Sequence, residues 1–162
     1  MNNGRRVVIT GLGVISPVGN DVAAFWDSLT SGRCGIGPLT GVDLHGLPIH
    51  VAGNIKDFDP AAYGLSGADK RRNDLYSQYA LAAASQAMAS SGIISGENIG
   101  PERFGVYVGT GIGGMNTFVA QTKVLLEEGA DRISPLFIPM MIPNIAGGNI
   151  AIKYNAQGPC LT

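Results

Sequence analysis

The chain has 162 residues, a length that predicts one domain at roughly 100 to 200 residues per domain. Its 11 lysines and arginines and 12 aspartates and glutamates give a net charge of −1, so a nucleic-acid interface or a polybasic membrane anchor is not indicated. Only 14% of the residues are charged, against about 25% in an ordinary soluble domain. We therefore expect much of the surface to face other protein, either a further part of a longer chain or a partner subunit.

The start of the chain predicts a strand followed by a helix. Val7 to Ile9 is a β-branched run, which is typical of a short strand buried on both faces. Asn20 is the expected cap of the next helix, with Asp21 in its first turn. Apolar residues recur at helical spacing from Val22 to Leu29, which predicts an amphipathic helix.

Residues 34–59 are expected to be mostly loop, with a weak strand from His50 to Gly53. The only histidines of the chain, His45 and His50, fall in this stretch. Neither lies near a nucleophile motif, and a lone histidine needs a positioned partner to act as an acid or base. We interpret both as ordinary loop residues.

The remainder of the chain alternates predicted strands and helices, the strand–helix rhythm of an α/β fold. The predicted elements are an alanine-rich buried helix over 74–90, a buried strand over 104–108, a helix over 116–128, an extended loop over 133–141, a helix over 143–154 and the start of a strand within 158–162.

The cysteines do not indicate a metal site. Cys34 and Cys160 lie far apart, without the spacing of a zinc site. Two isolated thiols fit a reducing compartment, so we expect a cytoplasmic protein. The start of the chain lacks the apolar run of a secretory leader, and no stretch is apolar enough to span a membrane. Neither a metal nor an organic cofactor is expected, unless the glycines described next bind one.

A glycine motif leaves two interpretations open. Gly109, Gly111 and Gly114 fit the GxGxxG pattern between a predicted strand and a predicted helix, with Glu127 and Glu128 near the distance of a ribose-binding acid. A Rossmann-like dinucleotide site is one interpretation. The other is a sharp, close-packed turn, which glycine permits because it has no Cβ. The position of the motif deep in the chain and the extra Gly113 favour the turn.

Lys70, Arg71 and Arg72 form a compact basic tract beside a predicted helix start. On its own, such a tract is typical of a solvated surface. The functional alternative is a binding surface for an acidic partner.

The order of four segments is more specific than any single motif. The segments are RRVVITGLGVISPVGN, KRRNDLYSQYALAAASQAM, VYVGTGIGG and ISPLFIPMMIPNIAGGNIAIKYNAQGP. In this order they closely resemble the amino-terminal part of the 3-oxoacyl-acyl-carrier-protein synthase II family, the beta-ketoacyl synthases or condensing enzymes of the thiolase superfamily. The resemblance covers essentially the whole chain.

The resemblance implies an α/β, thiolase-like αβαβα layered fold, of which residues 1–162 would supply the first half only. It also implies a homodimer and an acyltransferase of fatty acid biosynthesis. In that family an active-site cysteine takes an acyl group from acyl-carrier protein, and malonyl-acyl-carrier protein then decarboxylates and condenses with it. The family uses no metal or redox cofactor.

Some positions of the chain match functional positions of the family. Ile112 in GTGIGG matches the floor of the acyl pocket, and Phe137 in ISPLF matches an aromatic wall contributed across the dimer. The basic tract Lys70, Arg71 and Arg72 matches the family's tract that docks the acidic carrier protein. The resemblance therefore favours a binding surface over a merely solvated one.

No catalytic residue is expected within the chain, because the family's nucleophile would follow just after Thr162. Cys160 occupies a position that usually holds a small residue, so we expect a packed thiol rather than the nucleophile. Asn73, where the family often has Met, and Met140 with Met141 depart from the family pattern. A non-catalytic chain-length-factor partner remains an alternative to the enzyme.

Overall fold

The structure is a computed structural model that describes residues 4, 6–39, 41, 46 and 48–162. Short 3₁₀ turns at Pro60–Tyr63, Pro101–Arg103 and Ala130–Arg132 connect its main elements. In chain order these elements are α1 (Val22–Thr30), β1 (Gly37–Pro38), β2 (Val51–Ala52), α2 (Gly67–Arg72), α3 (Leu75–Ser91), β3 (Val106–Tyr107), α4 (Met115–Glu128), α5 (Phe137–Met141), α6 (Ile145–Lys153) and β4 (Cys160–Leu161).

The centre of the molecule is a parallel pair of strands covered by helix α6, which in turn packs against α3. β3 pairs with β4, with Val106 opposite Cys160 in the register. Helix α6 packs on both strands and against α3. One core cluster of buried apolar residues consists of Leu65, Leu81, Val106 and Ile150. The strand predicted over 104–108 is found as the two-residue β3, and only one of its faces is buried, because Tyr107 is 68% exposed.

The alanine-rich helix predicted over 74–90 is confirmed as α3, although only Ser77, Leu81 and Ala82 of this helix are buried. The small side chain of Ala82 and that of Ser77 are completely buried, so neighbouring segments approach the backbone of the helix closely. The helix ends at Gly92, whose φ of 67° is left-handed, a conformation that glycine adopts without steric cost.

The segment after the first predicted strand lies across α3. A Cβ at Gly11 or Gly13 would overlap a backbone carbonyl of this helix, that of Ala87 or Ala83. The Gln86 side chain accepts from the Val14 amide at 3.3 Å and donates to the Val14 carbonyl at 3.0 Å. The side-chain amide thereby satisfies backbone groups of an extended segment, as a neighbouring strand would.

The predicted strand at Val7 to Ile9 is not found as a paired strand. No strand of the described residues pairs with it, and Val7 and Ile9 are 94% and 81% exposed. A β-branched run favours extended backbone, but a strand also needs a neighbour for its backbone hydrogen bonds. The described residues supply no such neighbour.

Two helix starts differ from the predictions. Asp21, not Asn20, caps α1, accepting from the Ala24 amide at 2.8 Å. The Asn20 side chain instead donates to the Lys56 carbonyl at 2.6 Å. The predicted helix over 143–154 is confirmed as α6, although it begins two residues after Pro143. The antiparallel pair β1–β2 includes the weak strand predicted near His50.

The extended loop predicted over 133–141 is wrong, because α5 lies within it. Pro139 is the third residue of this short helix. The first amides of a helix have no carbonyl partner within the helix, so a proline there removes no helical hydrogen bond. Two prolines therefore predicted a loop where a one-turn helix forms.

Asp74 joins the beginnings of α3 and α4. Its Oδ1 accepts from the Tyr76 amide of α3 at 3.2 Å, and its Oδ2 accepts from the Thr117 amide of α4 at 2.7 Å. The residue is 4% exposed. Gly114, at the start of α4, has no side chain to cap that helix. One buried carboxylate therefore supplies the cap of two helices that are distant in sequence.

We expect Asp74→Ala to lower the free energy of unfolding by about 2 to 4 kcal/mol, because it removes two caps and leaves a partly buried amide of α4 without an acceptor. Asp21→Ala is the matched control, since Asp21 caps a single exposed helix start and its loss should cost about 1 kcal/mol. Urea unfolding of both variants measures the difference. Equal costs for the two substitutions would contradict a shared cap.

Candidate functional site

The glycine turn between β3 and α4 is packed against the end of α5. The Gly114 amide donates to the Met141 carbonyl at 2.9 Å. A Cβ at Gly114 would overlap the Met140 carbonyl, and one at Gly113 would lie 2.5 Å from the Met141 carbonyl oxygen. Gly113 also has a left-handed φ of 86°. A side chain would not fit at either position, because the backbone of α5 lies too close to the turn. This supports the interpretation of a close-packed turn.

The geometry does not support a dinucleotide site at Gly109, Gly111 and Gly114. A pyrophosphate would need the free amides at the start of α4. The Thr117 amide already donates to the Asp74 carboxylate, and the Gly114 amide donates to a carbonyl of α5. A carboxylate at that helix start would repel a bound phosphate.

Ile112 and Phe137 lie on the two sides of this contact. Ile112, in the turn, is 61% exposed. Phe137 begins α5 and is half-buried, with its ring centroid 6.2 Å from that of Phe118. Phe137 lines a cavity of about 320 Å³ beside Asp74, and Ile112 is not part of that lining. The structure therefore joins the segments that carry the two residues but does not place both side chains in one cavity.

Tyr76 fixes the segment that follows α5. Its hydroxyl donates to the Ile142 carbonyl at 2.6 Å, and burial raises the pKa of the phenol above its usual value. The residue therefore remains a hydrogen-bond donor at neutral pH. The sequence indicated Tyr76 only as an apolar member of a buried helix, since its carbonyl partner lies 66 residues away.

The basic tract forms the last turn of α2, a short helix that precedes α3. Ser66 and Asp69 form a capping box at its start. Hydrogen bonds from the Ser66 hydroxyl and amide hold the pKa of the Asp69 carboxyl below its usual value. Lys70, Arg71 and Arg72 lie at the opposite end, where the helix dipole favours positive charge.

The three cations of the tract differ in their surroundings. Lys70 lies 3.5 Å from an Asp59 carboxylate oxygen. Arg71 and Arg72 are exposed and form no ion pair within the described ranges. The two arginines thus remain available to an external partner.

Asn73 ties the end of α2 to α6. Its side chain donates to the Asp69 carbonyl at 2.9 Å and accepts from the Asn149 side chain, and its backbone carbonyl accepts from Gln78 at 2.9 Å. The residue is 6% exposed, so each of these hydrogen bonds replaces water. In the sequence, only the departure from the family's Met at this position singled out Asn73, and it did not indicate these contacts.

An open cavity of about 520 Å³ lies between α2, α5 and α6. Its lining combines apolar residues with two cations, one carboxylate and two side-chain amides. The polar residues of the lining are Asp69, Arg72, Asn73, Asn149 and Lys153. The end of the basic tract therefore borders a depression rather than a flat surface.

The cysteines and histidines form no constellation in the part of the chain that is described. Cys34 and Cys160 are both exposed and unpaired, so the expectation of a packed thiol at Cys160 is wrong for this structure. His50 contributes its backbone carbonyl to the Leu39 amide at 2.9 Å. His45 lies outside the described residues. No three His, Cys, Asp or Glu side chains in these ranges are grouped to hold a metal ion.

None of the helices in the described residues combines the length and the apolarity needed to cross a bilayer.

Comparison with known families gives one match over almost the entire chain. The model of the beta-ketoacyl synthase N-terminal domain matches residues 4–162. Among curated proteins, the chain is 40% identical to 3-oxoacyl-[acyl-carrier-protein] synthase 2 of Staphylococcus aureus (strain COL) over 159 residues, 98% of this chain and 38% of that protein. It is 44% identical to the Coxiella burnetii synthase 2 over 155 residues, 96% of this chain and 37% of that protein. The chain thus spans less than two fifths of these relatives.

Solved structures agree with the fold prediction. The ishigamide ketosynthase/chain length factor superimposes with a TM-score of 0.83 at 27% identity, over 97% of this chain and 38% of that chain. A type II PKS ketosynthase in complex with its acyl-carrier protein gives a TM-score of 0.74 at 27% identity, over 93% of this chain and 39% of that chain. A beta-ketoacyl synthase from Burkholderia phymatum STM815, 23% identical, gives 0.78 over 98% of this chain and 39% of that chain. These likenesses confirm the first part of a thiolase-like α/β fold.

Proposed function

Because the chain belongs to the beta-ketoacyl synthase family, as its N-terminal domain, we propose that it forms the amino-terminal part of a 3-oxoacyl-acyl-carrier-protein synthase of fatty acid biosynthesis. The proposed reaction is a decarboxylative condensation. An enzyme thioester donates its acyl group, malonyl-acyl-carrier protein loses CO₂, and the resulting carbanion forms the new carbon–carbon bond. The product is a 3-oxoacyl-acyl-carrier protein that is longer by two carbons.

In this proposal the chain supplies scaffold, pocket wall and docking surface. The proposal places the nucleophilic cysteine and the proton-transferring residues in the part of a full-length synthase that this chain, which covers 38% of the S. aureus relative, does not span. Exposed apolar residues support a larger assembly, because Val7, Ile9 and Tyr107 are all more than two-thirds exposed. The completed protein would act as a homodimer in the cytoplasm, where unpaired thiols stay reduced.

The contact between the glycine turn and α5 is the observation that carries the proposal of an acyl-pocket wall. Gly113 and Gly114 touch the end of α5, and this contact connects the turn that carries Ile112 with the helix that begins at Phe137. Both residues are large and apolar, which suits an alkyl chain whose affinity comes from the area that it removes from water. We assign Ile112 to the floor of that pocket and Phe137 to the aromatic wall that one protomer contributes to the pocket of its partner.

The geometry of α2 supports a docking role for Lys70, Arg71 and Arg72. The capping box fixes the start of the helix, and the buried Asn73 fixes its end. The exposed cations are therefore presented on a positioned helix. An acidic acyl-carrier protein is the partner that such a surface would attract.

A non-catalytic chain-length-factor partner is the second candidate, since one structural relative is a ketosynthase/chain length factor. It would keep the fold and the pocket wall without the nucleophile.

Activity of a chimaera tests the proposed function. Residues 4–162 would replace the matched 159 residues of the S. aureus synthase 2. We expect condensation of acyl- and malonyl-acyl-carrier protein within about tenfold of the parent, because apolar cores tolerate volume-conserving changes. The isolated 162-residue chain is the control and should neither condense nor decarboxylate.

A folded chimaera without condensation would contradict the enzyme proposal. Condensation that requires an added ketosynthase subunit would instead favour the chain-length-factor candidate. Activity of the isolated chain would contradict the assignment of the nucleophile to the unspanned portion.

Ile112→Phe in the active chimaera should shorten the longest acyl chain accepted by at least one two-carbon unit. The larger ring would fill the pocket floor, and each methylene that is kept out of an apolar pocket forfeits about 0.8 kcal/mol. Product lengths measured by mass spectrometry give the result. Ile94→Phe is the control, since Ile94 is similarly exposed but follows α3. Unchanged product lengths for Ile112→Phe would remove this residue from the pocket.

A further inference from the structure

Lys153 brings a cation from a second helix to the basic tract. It is the last residue of α6 and is exposed, with its Nζ 5.8 Å from the centroid of the Tyr154 ring. Lys153 and Arg72 line the same open cavity of about 520 Å³. The fold thus places a lysine beside the tract that is remote from it in sequence.

The hydrogen bond between Asn73 and Asn149 explains this placement. Asn73 directly follows Arg72 at the end of α2, and Asn149 lies on α6. Lys153 follows Asn149 by four residues, and residues at this spacing lie on the same face of a helix. The bond that holds the two helices together therefore also brings their cationic ends to one rim.

The carboxylates near this rim already have partners. Asp69 accepts hydrogen bonds from the Ser66 hydroxyl and amide at 2.7 Å, and Asp59 lies against Lys70. Lys153 and Arg72 add to the lowering of the Asp69 pKa, so both cations are near this carboxylate. Within the described ranges neither of them forms an ion pair.

We propose that Lys153 is a fourth cation of the docking surface formed by Lys70, Arg71 and Arg72, so that an acidic carrier protein contacts α2 and α6 together. This inference rests on the proposed function. The four cations are exposed and lie on two helices, and two of them, Arg72 and Lys153, line an open cavity. This arrangement suits the acidic face of a protein better than a small enclosed anion. Exposed charges of this kind act chiefly on the rate of encounter and are screened by salt.

Binding of the full chain to purified acyl-carrier protein tests the inference. At low ionic strength, Lys153→Gln should slow association about two- to fivefold, as expected for the loss of one exposed charge pair. Lys153→Glu should slow it about tenfold, because a repulsive charge replaces an attractive one. Both effects should shrink at high salt. Lys123→Gln is the matched control, an equal charge change on α4, and should change the rate by less than about 1.5-fold.

A double variant, Arg71→Gln with Arg72→Gln, separates this inference from the proposed function. If the double variant binds slowly while Lys153→Glu behaves like Lys123→Gln, the inference about Lys153 fails and the docking proposal stands. If the chain binds no carrier protein, or binds it equally well in all variants, the docking proposal itself fails.

Steady-state kinetics of the chimaera give a second readout. Lys153→Glu should raise KM for the carrier-bound acyl substrate several-fold while kcat stays unchanged. With an acyl thioester that lacks the carrier protein, KM should not change, whereas a merely structural role of Lys153 would affect both substrates. Equal effects on the two substrates would overturn the inference.

Discussion

Two adjacent buried polar residues, Asn73 and Asp74, determine how four helices of this protein are arranged. The carboxylate of Asp74 caps its own helix and also accepts the Thr117 amide of α4 at 2.7 Å. Asn73 holds the end of α2 and bonds to Asn149 of α6. A buried carboxylate or amide that loses its hydrogen-bond partner destabilises the fold, because the cost of its desolvation is no longer offset. These contacts therefore favour one arrangement of α2, α3, α4 and α6.

The arrangement relates the two parts of the candidate site. Asp74 holds the start of α4, and the glycine turn before α4 meets the end of α5. Asn73 holds the helix that carries the basic tract. The proposed docking surface and the proposed pocket wall are therefore positioned from neighbouring residues of one chain segment. A synthase needs this relation, because the carrier protein must deliver its acyl group to a pocket at a set distance.

Local sequence patterns predicted most of the helices and the alternation of strands and helices. They failed where contacts between residues distant in sequence determine the structure. The alanine-rich composition predicted α3, and apolar residues at helical spacing predicted α1. The Asp74–Thr117 bond spans 43 residues and has no local signature. The β-branched run at Val7 predicted a buried strand, but the run is exposed and unpaired among the described residues. Such a run indicates a preference for extended backbone and not the presence of a neighbouring strand. Lys153 was missed because its position depends on how α6 packs.

Amide hydrogen exchange at Thr117 tests the shared cap most directly, with Asp74→Ser as the variant. Serine can still cap α3 locally but is too short to reach α4. We predict that the Thr117 amide is protected in the native protein and exchanges at least about tenfold faster in the variant, the change expected for about 1.4 kcal/mol, while amides within α3 keep their protection. Equal protection of the Thr117 amide in both proteins would contradict the account.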